Sequence, residues 1–186
     1  MNSLLWSLPV RVPVKLFFAI RPDRDAGAAI QTLATRLKTA HRLRGRPVAR
    51  ERLHNTLAAV HDPGTISENI ARAKAVGERL GHRSFCVRFD WTGSFKGGGH
   101  GYPFVLRGDE GLGPLQEFRE ALRAQMLRAG FGMKPSFTPH VTLLWADRPV
   151  EEYPVAPIGW TVREFVLTAS LQGYSHHIDV ARWPLH

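Results

Sequence analysis

Two segments 86 residues apart carry the same short pattern, Leu53-His54-Asn55-Thr56-Leu57 and Pro139-His140-Val141-Thr142-Leu143. Each falls in a run of β-favouring residues, Leu53 to Val60 and Pro139 to Trp145, that reads as a strand. On a strand, residues i and i+2 project from one face, so each histidine points the same way as the threonine after it. For the two imidazoles and two hydroxyls to meet in one cleft, the strands must lie side by side or be related by a pseudo-twofold. His82-Arg83-Ser84 fits only the looser His-x-Ser/Thr pattern. Nine histidines give about one such match by chance, and it is set aside on that ground.

The rest of the chain reads as strands and helices that do not alternate strictly. Val14 to Ile20 is a strand closed by Arg21-Pro22-Asp23. A helix capped by Asp23 or Asp25 runs to about Ala40, with Ala29, Ile30, Leu33, Ala34 and Leu37 as its apolar positions. A second helix starts at Ser67, is lined by Ile70, Ala73 and Leu80, and ends at Gly81. Strands follow at Phe85 to Trp91 and Tyr102 to Arg107. Leu112 to Ala129 is the strongest helix, with Leu115, Phe118, Leu122, Met126 and Leu127 on one face. Further strands are read at about Thr161–Ser170 and His177–Trp183. Several neighbouring strands have no helix between them, so the expected class is α+β with antiparallel sheets, not a parallel doubly wound sheet. No linker separates two independent units, and residues 1–186 are expected to form a single domain with residues 1–13 as an N-terminal extension.

The chain has 25 Lys and Arg against 16 Asp and Glu, a formal charge of +9, with a pI near 10.6. That balance favours polyanionic partners, of which nucleic acid is the usual one. No apolar run is long enough to cross a bilayer. No basic region precedes Leu4, Leu5, Trp6 and Leu8, which argues against a signal peptide. The single cysteine, Cys86, excludes an internal disulfide, and its place in Phe85-Cys86-Val87 predicts a buried thiol. A cytoplasmic monomer is expected.

Histidine is suited to phosphodiester chemistry because its unperturbed pKa lies near neutrality. One imidazole can take the nucleophile's proton while another protonates the leaving oxygen. The threonine hydroxyls can donate hydrogen bonds to the non-bridging phosphoryl oxygens as charge builds there. This chemistry calls for no metal and no other cofactor.

Over nearly its whole length the sequence resembles the two-histidine phosphoesterases, and within them the bacterial RNA 2′,3′-cyclic phosphodiesterases, also called 2′-5′ RNA ligases. The likeness rests on the opening Lys15-Leu16-Phe17-Phe18-Ala19-Ile20, the paired motifs and the segment Phe137-Thr138-Pro139-His140-Val141-Thr142-Leu143. It extends to Phe165-Val166-Leu167 and the terminal Arg182-Trp183-Pro184-Leu185. The resemblance implies a bilobed α+β fold, with two antiparallel sheets related by a pseudo-twofold, helices outside and a cleft between the lobes. It implies metal-independent hydrolysis of 2′,3′-cyclic phosphate ends of RNA or nucleotides to 2′-phosphates. His54 and His140 would be the acid–base pair and Thr56 and Thr142 the phosphate ligands. Three departures concern the outer substrate contacts: Ala58-Ala59-Val60-His61-Asp62 after the first motif, Trp145 where a basic residue is common, and polar Asn55 where an apolar residue is typical.

Other segments have plainer readings. Lys96 to Gly101 lacks the spacing of a phosphate-binding loop and reads as a mobile hairpin connection. His176 and His177 face opposite ways on a strand, which predicts surface or core roles. Arg42, Arg44, Arg46, Arg50 and Arg52 form either a solvated loop or an RNA-backbone contact. Phe17, Phe137 and Trp145 are core residues or base-stacking platforms. Two alternatives to cyclic-phosphate hydrolysis stay open: cleavage or joining of 2′-5′ linkages, and a non-catalytic RNA-binding protein.

Overall fold

Antiparallel pairing sorts the strands of the computed structural model into two four-stranded sheets, ordered β2-β1-β7-β8 and β5-β4-β3-β6. The structure describes residues 13–99, 101–108, 110–133, 136–174 and 176–186. The expected extension over residues 1–13 therefore lies outside the described residues, apart from Pro13. In chain order the elements are β1 (Val14–Ile20), α1 (Arg24–Ala40), β2 (Asn55–Val60), α2 (Ile66–Glu78), β3 (Phe85–Ser94), β4 (Tyr102–Arg107), α3 (Gly113–Arg128), β5 (His140–Ala146), β6 (Tyr153–Val162), β7 (Glu164–Leu171) and β8 (His176–Pro184). The architecture is α+β, and the two sheets repeat one plan. In each, the strand bearing the His-x-Thr motif lies at one edge beside the strand that precedes it, with a helix making the connection.

The helices form where the sequence supplies caps and an apolar stripe. Asp23 caps α1, its Oδ1 accepting from Ala26 N at 2.9 Å. Ile30, Leu33, Ala34 and Leu37 of α1 are buried, whereas Ala29 is exposed. Thr65, not Ser67, starts α2. Its hydroxyl accepts from Glu68 N at 3.3 Å while the Glu68 carboxylate accepts from Thr65 N at 2.8 Å, a reciprocal capping box. In α3, Leu115, Phe118, Leu122 and Met126 are buried as the spacing predicts, but Leu127 has rotated outward and is 46% exposed.

Two strand readings need correction. The segment taken as one strand over Thr161–Ser170 is the end of β6 and most of β7. The chain passes from one sheet to the other at Arg163. The first part of β6, with Pro154 and Pro157, carries turn residues and was absent from the sequence reading. It is tolerated because β6 is an outer strand paired only with β3. Cys86 is exposed, not buried, because Phe85, Val87 and Phe89 occupy the core-facing positions of β3 and leave it on the opposite face.

The helices interlock the sheets. α1 joins two strands of the first sheet but packs against β5 and β6 of the second, and α3 joins two strands of the second but reaches β2 of the first. Phe118 of α3 is wholly buried, with its ring 5.4 Å from Phe85 of one sheet and 5.2 Å from Phe165 of the other. Phe118→Ala is expected to cost about 3–5 kcal/mol of stability. Urea unfolding should show this as a lowered midpoint with an unchanged slope.

Candidate active site

The two motifs meet where the edge strands β2 and β5 run beside each other. Asn55, fully buried, donates from Nδ2 to the carbonyl oxygen of His140 at 2.9 Å, so the residue after one motif histidine holds the backbone of the other. The loop before β2 reinforces the seam, Val48 N donating to Leu143 O at 2.8 Å. Gly45 makes that approach possible. At φ +108°, a Cβ there would stand 2.2 Å from the Trp145 carbonyl oxygen.

His54 immediately precedes β2 and His140 begins β5, and the two are held alike. Nδ1 of His54 lies 2.6 Å from the carbonyl oxygen of Arg52, and Nδ1 of His140 lies 2.8 Å from that of Thr138. A carbonyl only accepts, so Nδ1 carries the proton in both rings and Nε2 is the free basic nitrogen. Both rings are half-buried. Burial pushes His54 down to about 4, opposed by its bond to the Arg52 carbonyl and assisted by the charges of Arg21, His140 and Arg52. Burial likewise lowers His140, against its bond to Thr138.

Aromatic side chains fix the ring planes. Phe17 stacks on His54 with centroids 4.9 Å apart and 29° between planes, and Phe95 meets His140 edge-on at 4.9 Å. Phe17 is thus covered by an imidazole, Phe137 is half-buried beneath the Arg119 guanidinium at 4.8 Å, and Trp145 is half exposed. Thr56 and Thr142 are half-buried, and neither hydroxyl has a hydrogen-bond partner among the described residues. A cleft of about 920 Å³ opens here, lined by Thr56, His140, Phe95, Met133, Phe137 and Arg119. Of the four residues singled out from the sequence, Thr56 and His140 line this cleft, while His54 and Thr142 each lie two residues from one of them along the chain.

Sequence reasoning missed one neighbour. His177, expected on the surface or in the core, lies with its ring centroid 5.2 Å from that of His54 and 5.5 Å from that of Phe17. Burial and then the neighbouring His54 push it down to about 4. The only signal in the sequence was His177-Ile178-Asp179, two polar side chains sharing a strand face. Lys96 to Gly101 does form the β3–β4 hairpin connection, with Gly98 and Gly101 bonded to each other across it, while His100 lies outside the described residues.

Two four-stranded antiparallel sheets whose motif-bearing edge strands meet define a two-histidine phosphoesterase fold. The chain belongs to the 2′-5′ RNA ligase superfamily, whose sequence pattern matches residues 22–173. Among its relatives is the RNA 2′,3′-cyclic phosphodiesterase of Escherichia coli strain K12, 30% identical over 179 residues that cover 93% of this chain and 97% of the relative. The crystal structure of E. coli LigT complexed with 3′-AMP superposes with a TM-score of 0.69 at 28% identity, covering 93% of this chain and 98% of that one. A crystal structure described as a phosphoesterase gives 0.72 at 27% identity, covering 93% and 99%. No helix among the described residues is long and apolar enough to cross a membrane.

Nitrogen-15 NMR of the imidazoles tests the site directly. At pH 7 both motif histidines should appear neutral and protonated on Nδ1, and the His54 resonance should shift only as the pH approaches about 4. A His54 midpoint near 6.5 would contradict the burial described here.

Proposed function

We propose that this chain hydrolyses 2′,3′-cyclic phosphate ends of RNA or nucleotides to 2′-phosphates, with His54 and His140 as the acid–base pair. The observation that carries the reading is the matched clamping of the two imidazoles, each held through Nδ1 by the carbonyl two residues before it, with Nε2 left free. The name of the E. coli relative supports the substrate class, and the nucleotide bound to E. coli LigT supports a nucleotide-sized ligand. Both lobes serve one domain and one site, and the enzyme works as a cytoplasmic monomer.

In the hydrolytic step water attacks phosphorus and the bond from phosphorus to the 3′-oxygen breaks. Nε2 of one histidine takes the proton from water, and Nε2 of the other, protonated, gives its proton to the departing 3′-oxygen. The products are a 2′-phosphate and a free 3′-hydroxyl. Thr56 and Thr142 donate to the non-bridging oxygens, where unsatisfied hydroxyls cost no exchange of existing bonds. The reaction draws on no metal ion. In the reverse direction the histidines exchange roles.

Hydrolysis of a nucleoside 2′,3′-cyclic phosphate in excess chelator, with the product resolved as 2′- or 3′-phosphate, is the primary test. Turnover to the 2′-phosphate is expected, and a folded protein with no turnover on this or a cyclic-ended oligomer would overturn the reading. His54→Ala and His140→Ala should each lower kcat by about 10²–10⁴-fold. Acid–base work needs one imidazole charged and one neutral. Because both are shifted downward, that state of the free enzyme is populated only below the ordinary histidine value of 6.5. The profile of kcat/KM against pH is therefore expected to peak on the acid side of 6.5, and a maximum above pH 7.5 would contradict the pairing. The superfamily's name favours one further activity, cleavage or joining of 2′-5′ linkages. Comparing 2′-5′ and 3′-5′ linked dinucleotides separates it. A non-catalytic RNA binder would show affinity indifferent to the terminal phosphate and to both histidines.

A further inference from the structure

A second pocket of about 660 Å³, lined by Arg52 and Leu53 just before His54 and by His177 against its ring, shares no lining residue with the cleft of His140. Arg21, Arg24, Arg50, Arg52, Arg182 and His177 line this second pocket. Strand register places it on the same sheet face as the first motif. Thr56 lies opposite Ala19, Phe17 opposite Thr168, Thr168 opposite Asp179, and Ser170 opposite His177. The pocket and the first motif are also physically joined, since the Arg52 carbonyl holds His54 and the His177 ring packs against the His54 ring.

The pocket is built to be positive. Its five guanidiniums face three carboxylates, Asp23, Glu51 and Asp179. Asp23 is committed to capping α1. Asp179 braces two of the guanidiniums, accepting from Arg21 at 2.7 Å and from Arg182 at 2.6 Å, with the buried Thr168 hydroxyl adding a third bond at 2.9 Å. Three buried nitrogens of its lining lack a hydrogen-bond partner among the described residues: Nε of Arg21 and Nε of Arg52, which can only donate, and the ring nitrogen Nδ1 of His177. Buried donors without acceptors are costly, and the two guanidinium nitrogens at one cavity point to an acceptor-rich ligand there. Among the described residues, Pro22 and Leu53 are the apolar members of the lining, which holds no Phe, Tyr or Trp on which a base would stack. The chemistry selects an oxyanion, in the geometry guanidinium forks recognise best.

We propose that this pocket is a subsite for the phosphate on the 5′-oxygen of the terminal nucleotide, so that the preferred substrate is an RNA oligomer and not a lone nucleoside cyclic phosphate. The proposal rests on the cyclic-phosphodiesterase reading for its placement. With the cyclic phosphate between His54 and His140, the 2′- and 3′-oxygens are both occupied, and the polynucleotide continues only through the 5′-oxygen, one ribose away. The pocket lies one imidazole away from His54. The basic stretch of the sequence thereby divides. Arg50 and Arg52 serve this pocket, whereas the segment from Arg42 to Arg46 runs along β5, with Arg44 N bonded to Asp147.

The test measures binding and turnover separately. Affinities of cytidine 2′-phosphate and of the dinucleotide CpC ending in a 2′-phosphate are measured for the wild type and for the double variant Arg24→Gln/Arg52→Gln. Its fold is checked by circular dichroism. The dinucleotide should bind the wild type about 10- to 100-fold more tightly than the mononucleotide. Its logarithmic salt dependence should be steeper by about 0.7 for the additional phosphate. In the variant the preference should fall towards unity. Equal affinities in the wild type, or a preference the variant retains, would overturn the subsite whatever the enzyme's activity. Turnover of the corresponding cyclic mono- and dinucleotides then judges the functional reading separately. Hydrolysis of both at equal kcat/KM would leave that reading intact and refute the pocket. Binding preference without hydrolysis of either would do the reverse. Cytidine 2′-phosphate bearing a 5′-phosphate distinguishes the sources of the anion. If it recovers the whole preference, the site reads a single terminal phosphate and the oligomer assignment fails.

Discussion

The hydrogen bond from Asn55 to the His140 carbonyl sets the relation between the two halves of the molecule. β2 and β5 are edge strands of different sheets, and no ladder of backbone bonds joins them. Apolar burial holds the sheets together, but it is non-directional and would tolerate a shift along the seam. A buried amide bonded to one particular carbonyl does not tolerate it, because sliding would leave both groups unsatisfied. Asn55, together with the Val48–Leu143 backbone bond, thus sets the spacing of the two motif histidines.

The pseudo-twofold gives both imidazoles the same tautomer, although Arg21 and Arg52 act on His54 and not on His140. In the free protein both are biased towards neutrality, and in the proposed reaction the charge that opposes this bias comes with the substrate. A phosphate anion between the rings favours an imidazolium on one of them, and burial makes that interaction stronger than it would be in water. Asymmetry enters from outside the pair. One side has the apolar cleft of Phe95, Met133 and Phe137, and the other has His177 and the arginines.

Much of this was legible in the sequence for a physical reason. β1, β4 and the buried stripe of α3 follow local periodicity, which the chain carries in itself, and the paired His-x-Thr pattern was legible because a spacing of two survives into any strand. What escaped depends on partners distant in sequence. β6 reads as a turn because Pro154 and Pro157 are acceptable only on an outer strand, and strand order is not a local property. His176 and His177 were expected to face opposite ways and not to serve one site, yet both line the arginine-rich pocket. That His177 faces His54 follows from β8 pairing with β7 and β7 with β1, two long-range pairings. Cys86 was misjudged because a short apolar run was taken as buried on both faces, whereas the sheet has its core on one.

The same prolines settle how the molecule presents its margins. With β2 and β5 meeting at the centre, the outer margins are β6 and β8. Neither offers an unbroken row of backbone donors and acceptors. Pro154 and Pro157 remove two amide donors from β6, while β8 has a register irregularity opposite Leu167/Thr168, bears the charged Asp179 and Arg182, and ends at Pro184. A strand from another molecule therefore finds no template at either end, and two open sheets remain protected against edge-to-edge aggregation without being closed into a barrel.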